Sequence, residues 1–306
     1  MNLILLHNPQ AGTGEPTREE LLTDIRGSGH QVKYKSVKEA HWRRELQRPA
    51  DAIVVAGGDG TLRKAFGLVS ERPGPPIVVL PVGSANNIAG SLGIGGKWRE
   101  IVRGIGRLVP TAFRFGRVKG AGAAGCFFES VGFGVLAELL RLEDHDPQRF
   151  ESLAGGREGF PRAYAALAKL TAEARPVGLR VSNIDIRLDE QVLWMEVMNI
   201  PSIGPRLTFG ASSSAAAALP SLKMVLIQER HRESLVGYLR ARADGHARHF
   251  PAVRWHELTG EIHLSCAGAA FHVDDQMRPA KRKLIISRAE ATVPVLCMRH
   301  TPARVG

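Results

Sequence analysis

The chain has 306 residues, 44% hydrophobic and 23% charged, the makeup of an ordinary globular protein, and its length predicts two domains rather than one. Lysine and arginine outnumber acids 41 to 30 for a net charge of +11, a balance that calls for an anionic partner such as a nucleic acid, a phospholipid surface or a phosphorylated ligand. The widely spaced Cys126, Cys266 and Cys297 argue against disulfides or a zinc site, and no apolar stretch approaches the ~20 residues of a membrane span. Met1–Leu6 is short for a signal peptide and lacks a basic start, so the expected location is cytoplasmic, with any membrane contact at the surface.

The first hundred residues alternate strand and helix signals. Leu3–Leu6 reads as a buried strand, and Thr17–Ile25 as a helix opened by a Thr17/Glu20 capping box. Gln31–Ser36 alternates like a strand, and Lys38–Leu46 has a helical pattern. The continuous apolar runs Ile53–Val55 and Ile77–Leu80 read as strands buried on both faces. Short units in this order predict a parallel sheet covered by helices, with the ligand at the carboxyl ends of the strands.

Three strands end there in polar, glycine-bearing loops: His7–Gly12, Ala56–Thr61 and Pro81–Asn87. The middle loop, Ala56-Gly57-Gly58-Asp59-Gly60-Thr61, leads into the amphipathic segment Leu62–Val69. Its glycines let a ligand approach the backbone, and amides at the start of the next helix favour an anion such as phosphate. Asp59 would repel phosphates unless it held a cation, ordered water or bonded a ribose hydroxyl. The loop therefore reads as a nucleotide site.

From about Thr111 the texture changes. Phe113–Val118, Cys126–Val131, Leu179–Leu188, Val192–Asn199, Leu222–Gln228, Glu261–Ser265 and Ala270–Asp274 are strand-like. Helical stretches interrupt them at Leu136–Leu142, Pro161–Ala174 and Glu233–Ala243, and Ser212–Ala218 reads as a loose loop. The expected division is an α/β nucleotide-binding domain over 1–110 and a mainly antiparallel β-sandwich domain over 111–289.

Taken together, Asn8–Gly12, Gly57–Thr61, Pro81–Ala89, Phe128–Gly134 and Val273–Gln276 resemble the soluble diacylglycerol, sphingosine and ceramide lipid kinases and their bacterial relatives. The motifs span nearly the whole chain. The glycine loop alone is shared with NAD kinases; with the Pro-x-Gly-Ser-x-Asn block it is fairly specific. The resemblance implies an N-terminal domain that binds ATP, a lipid-accepting sandwich, and a returning strand at Thr292–Arg299 within a segment, 290–306, that rejoins the first domain.

The resemblance also implies site residues. Asn8, Ser36, Gly57, Gly58, Asp59, Gly60, Thr61, Gly83, Ser84 and Asn86 would bind the nucleotide. Asp274 would take the acceptor's hydroxyl proton, Gln276 would position water or a hydroxyl, and Asp59 would organise Mg2+ through the nucleotide or water. The chain departs from the family at Lys64, Asn87, Arg114 and Gln276, where acids are usual or frequent, and around Leu219–Leu222, where an acidic turn holds a structural magnesium in some members. Arg278, Lys281, Arg282 and Lys283 flank Asp274 and would meet lipid headgroups on an anionic membrane surface.

Competing readings follow from the same residues. Gly132-x-Gly134-x-x-Ala137 mimics a dinucleotide fingerprint but lacks a fitting βαβ unit, and His246 and His249 could bind metal only if helical. Three Tyr and four Trp with no stacking pattern among the arginines speak against nucleic acid. The expected function is an ATP-dependent lipid kinase. The alternatives are a nucleotide-binding member with weak or no kinase activity that acts by interaction, and a kinase of a soluble alcohol or NAD. Oligomerisation stays open.

Overall fold

The computed structural model describes residues 1–298, apart from 73, 121–122, 184–185, 210–220, 267–268, 270 and 279–282 and the side chains of 123–124. The chain divides into two compact units, Met1–Arg114 with the segment from Glu290 onward, and the described residues from Phe115 to Ala289.

The first unit contains β1 (Asn2–His7), α1 (Arg18–Gly27), β2 (Gln31–Ser36), α2 (Trp42–Glu45), β3 (Ala52–Gly57), α3 (Asp59–Glu71), β4 (Ile77–Pro81), α4 (Asn87–Ser91), α5 (Trp98–Gly104) and the start of β5 (Val109–Gly120). The predicted capping box is present: the Thr17 hydroxyl accepts from the Glu20 amide at 3.2 Å and the Thr17 amide donates to the Glu20 carboxylate at 2.9 Å. The expected helix over Lys38–Leu46 shrinks to α2. Glu39 turns back to accept from the Ser36 amide and Lys35, and His41 takes a left-handed φ of 66°, which stops a helix from starting earlier.

The strands run in the order β2-β1-β3-β4, all parallel, and the last residues of β16 (Leu284–Cys297) add a parallel neighbour to β4. Every residue of β3 is buried, as expected of a strand covered on both faces. Leu21 and Ile25 of α1 join Leu5, Val54, Val78 and Leu296 in one core. Chain order reverses between β1 and β3, the kind of position at which open α/β sheets take ligands at the carboxyl ends of their strands.

The second unit contains β6 (Ala123–Phe127), β7 (Ser130–Gly134), α6 (Val135–His145), α7 (Pro147–Ala154), α8 (Gly159–Glu173), β8 (Val177–Ser182), β9 (Arg187–Val192), β10 (Trp194–Met198), β11 (Leu222–Ile227), α9 (Arg232–Ala243), β12 (Arg254–Leu258), β13 (Ile262–Cys266), β14 (Phe271–Val273), β15 (Gln276–Arg278) and the first part of β16. One antiparallel sheet has the order β12-β11-β10-β7-β14-β15, and the other runs β16-β13-β8-β9. Val131, Phe133, Met195 and Phe271 of the first sheet share a core with Leu179, Leu264 and Ile286 of the second, so the two sheets form a sandwich.

Two expected strands are each divided. Leu179–Leu188 becomes the β8–β9 hairpin, its turn closed by Asn183, whose side-chain oxygen accepts from the Ile186 amide at 2.6 Å. Cys126–Val131 breaks at Phe128–Glu129, because the amides there serve a partner described below. The returning strand expected over Thr292–Arg299 is the end of β16, with Arg299 beyond the described residues. The loose loop expected at Ser212–Ala218 also lies outside them.

Candidate functional site

In the first unit the three loops after β1, β3 and β4 meet backbone to backbone. A Cβ on Gly83 would stand 2.3 Å from the Gly58 Cα, and one on Gly12 would stand 2.4 Å from the Val82 carbonyl oxygen, with Gly12 already at φ +60°. Gly57 is closed off by the Thr61 side chain, which a Cβ would meet at 2.5 Å. Thus Gly12, Gly57, Gly58, Thr61 and Gly83 come together, and only glycine fits at the contacts. Gly58 is the N-cap of α3 and makes no side-chain cap, so the positive end of that helix faces the rim without a capping side chain, a start that favours an anion.

The polar residues expected to line this rim are mostly committed within it. The Asp59 carboxylate accepts from the Asn87 amide through Oδ2 and the Ile88 amide through Oδ1, both at 2.9 Å, so it caps α4. Asn86 holds φ 53°; its Oδ1 accepts from the Gly83 amide at 3.0 Å and its Nδ2 donates to the Gly83 carbonyl at 2.6 Å. The Asn8 side chain accepts from the Gln10 amide at 3.2 Å, and the nearly buried Ser36 hydroxyl from the Lys38 amide at 3.2 Å. Their first work is to shape the loops. Ser84 stands exposed at the rim, and Lys64 is exposed on α3.

Asp274 opens the two-residue turn between β14 and β15 and takes a left-handed φ of 54°. Its Oδ1 accepts from the amides of Phe128, Glu129 and Ser130 at 3.0, 2.8 and 3.2 Å, and Oδ2 from Phe128 at 3.2 Å. These amides belong to the break between β6 and β7. Successive amides curled around one oxygen hold a carboxylate in a single orientation. With Oδ1 saturated, proton chemistry at Asp274 would go through Oδ2. Gln276 lies exposed on β15, its Oε1 accepting from Arg278 at 2.7 Å.

Sequence reasoning missed the residues that hold this break. The buried Asn199, just past β10, donates from Nδ2 to the Phe128 carbonyl at 2.8 Å, its own amide donates to the Glu129 carbonyl at 2.8 Å, and Arg288 donates to its Oδ1. It also missed the buried Glu196 and His272, taken up below. An acid and a histidine in apolar strand patterns were the available signals. A cavity of about 310 Å³ in the second unit has Val135, Leu170, Val177 and Leu193 among its walls and Arg149 and Glu173 on its polar side.

His246 and His249 are exposed and follow α9 rather than lying on it, and no group of three or more His, Cys, Asp or Glu side chains able to hold a metal occurs among the described residues. Magnesium commonly binds through one or two carboxylates together with substrate phosphates rather than in a dedicated protein cage. Gly132 and Gly134 lie on a strand paired antiparallel on both sides, which rules out the dinucleotide βαβ unit that their spacing mimics.

The chain thus joins a parallel α/β unit with a glycine-lined rim to an antiparallel sandwich. Residues 2–118 match the model of the diacylglycerol kinase catalytic domain. A diacylglycerol kinase of Staphylococcus haemolyticus is 24% identical over 202 residues, which take in 63% of this chain and 56% of that protein. The crystal structure of a diacylglycerol kinase from Bacillus anthracis superposes with a TM-score of 0.68 over 96% of each chain at 13% identity. An NAD kinase from Archaeoglobus fulgidus in complex with ATP gives 0.55 over 98% of this chain and 94% of that one, at 11% identity. These likenesses concern the fold.

Proposed function

We propose that the protein is an ATP-dependent kinase that phosphorylates a hydroxyl of a membrane lipid. The observation that carries this reading is the rim of the first unit, where Gly12, Gly58 and Gly83 pack without side chains beside the uncapped start of α3. Such a start suits the phosphates of ATP, delivered with their own magnesium. In transfer, Asp274 accepts the proton of the acceptor hydroxyl as its oxygen bonds to the γ-phosphorus, and the bond to the bridging oxygen breaks to release ADP. The part-apolar, part-charged cavity beside α6 supports an acceptor with a chain and a polar head. The net charge of +11 supports peripheral binding to an anionic membrane.

Incubation with γ-labelled ATP, magnesium and vesicles containing diacylglycerol, sphingoid base or ceramide, with NAD in a parallel reaction, tests the reading. Label is expected in a lipid. Label in NAD alone would overturn it. Asp274→Asn keeps an oxygen for the three amides but loses the base, and is expected to lower kcat by about 10²–10⁴-fold with ATP affinity unchanged. A second reading, a nucleotide binder with little transfer activity, is favoured by Gln276, which cannot take a proton and whose oxygen is tied to Arg278. ATP binding with no labelled product would select it.

A further inference from the structure

In the sheet of the second unit, Glu196 on β10 stands opposite Gly132 on β7, and Gly132 stands opposite His272 on β14. Their neighbours Val131, Phe133, Val197, Phe271 and Val273 point into the sandwich core, so by strand alternation the row lies on the other face, where α6 packs against β7 and β14. Glu196 and His272 are 1% and 0% exposed. The glycine between them has no side chain, and a Cβ there would sit 2.4 Å from the Glu196 carboxylate. Across this gap His272 Nε2 lies 2.9 Å from Glu196 Oε1, which also accepts from the Trp194 indole at 2.8 Å.

The other ring nitrogen, Nδ1, lies 2.7 Å from the main-chain carbonyl oxygen of Asp274. A carbonyl only accepts, so Nδ1 carries a proton and donates it. A buried acid–base pair adds little net stability, and here Glu196 Oε2 is buried with no hydrogen-bond partner among the described residues. The pair is a poor stabiliser and a good clamp.

We propose that Glu196 and His272, meeting across Gly132, are positioning residues for Asp274: they grip its carbonyl and hold it at the left-handed φ in which its carboxylate reaches the amides of Phe128–Ser130. This rests on the reading of Asp274 as the base and deepens it. Burial by itself would push the His272 ring down, but Glu196 and the Asp274 carbonyl hold it above the ordinary histidine value, consistent with a ring that donates at both nitrogens.

Two substitutions of His272 separate its two bonds. His272→Asn keeps a donor where Nδ1 stands, toward Asp274; His272→Gln keeps one where Nε2 stands, toward Glu196. His272→Gln is expected to lower kcat about 10–100-fold with the KM for ATP unchanged, and His272→Asn to retain most of the rate. Glu196→Gln, and Gly132→Ala, which leaves both partners in sequence but drives them apart, keep the Nδ1 donor toward Asp274 and should lose less than His272→Gln, with the loss confined to kcat. Amide NMR gives a readout independent of turnover: His272→Gln should move the signals of Phe128, Glu129 and Ser130, and His272→Asn should leave them near wild type. Wild-type rates and amide signals in His272→Gln would overturn the relay, as would equal losses in the two His272 variants. If the unaltered protein labels no acceptor, the kinase reading fails instead, and the amide signals alone decide the relay.

Discussion

Asp59 shows how a side chain singled out for chemistry is first of all a structural tie. Both its oxygens accept amide protons from the start of α4, joining the loop after β3 to the loop after β4. Removing it in Asp59→Ala leaves two helix-start amides without an acceptor, an expected loss of about 1–2 kcal/mol of folding stability readable by urea unfolding. ATP affinity, measured by calorimetry, should fall with it, because the same tie sets the rim. Asn86 makes a companion case, since its amide clamps Gly83 and its own backbone is left-handed. Asn86→Gly loses the clamp but tolerates the conformation, whereas Asn86→Ala loses the clamp and adds roughly 1 kcal/mol of backbone strain. Urea unfolding should rank the two variants in that order, and a reversed order would show that the left-handed backbone at this position does not penalise alanine.

At the scale of elements, the loop–loop contacts are the vulnerable joints. Gly83→Ala would force a methyl into the Gly58 backbone at 2.3 Å, where no flexible side chain can yield, so the loops after β3 and β4 must part. Loss of detectable ATP binding is expected, while Gly90→Ala, with nothing within 4 Å, should bind normally. The elements legible in the sequence were those whose cause is local. The buried parallel strands announce themselves as apolar runs, and the α1 cap as a Thr17/Glu20 pair. The strand breaks were not legible in the same way. Phe128–Glu129 interrupts a strand pattern because its amides turn to a carboxylate 145 residues away from Glu129, and no window of neighbouring residues contains that partner. The shortening of α2 has a nearer cause in Glu39 and His41, but one that a periodicity count ignores. Likewise the site's glycines were readable as motifs, whereas the Glu196–Gly132–His272 row exists only once three strands are in register.

For the molecule as a whole, the chemistry of its thiols follows from burial. Desolvation pushes the thiols of Cys266 and Cys297 up, and both side chains are buried, whereas Cys126 is partly open. Iodoacetamide at neutral pH should modify Cys126 first and reach the other two only after denaturation; rapid labelling of Cys266 in the native state would contradict the fold of β13. Because the folded thiols resist ionisation, the unfolded chain releases their protons first as pH climbs past the ordinary thiol value of 9.0, so stability should decline in that alkaline range.

The end of β16 has a temporal corollary. The segment of β16 that pairs with β4, at Val295 and Leu296, follows Ile77 and Val78 by more than two hundred residues in the chain. Throughout synthesis the nascent sheet exposes the bare hydrogen-bonding groups of β4, an invitation to pair with the wrong chain. Translation stalled shortly before Glu290 should therefore yield insoluble product, and chaperones that shelter open strands should raise the recovery of the complete polypeptide.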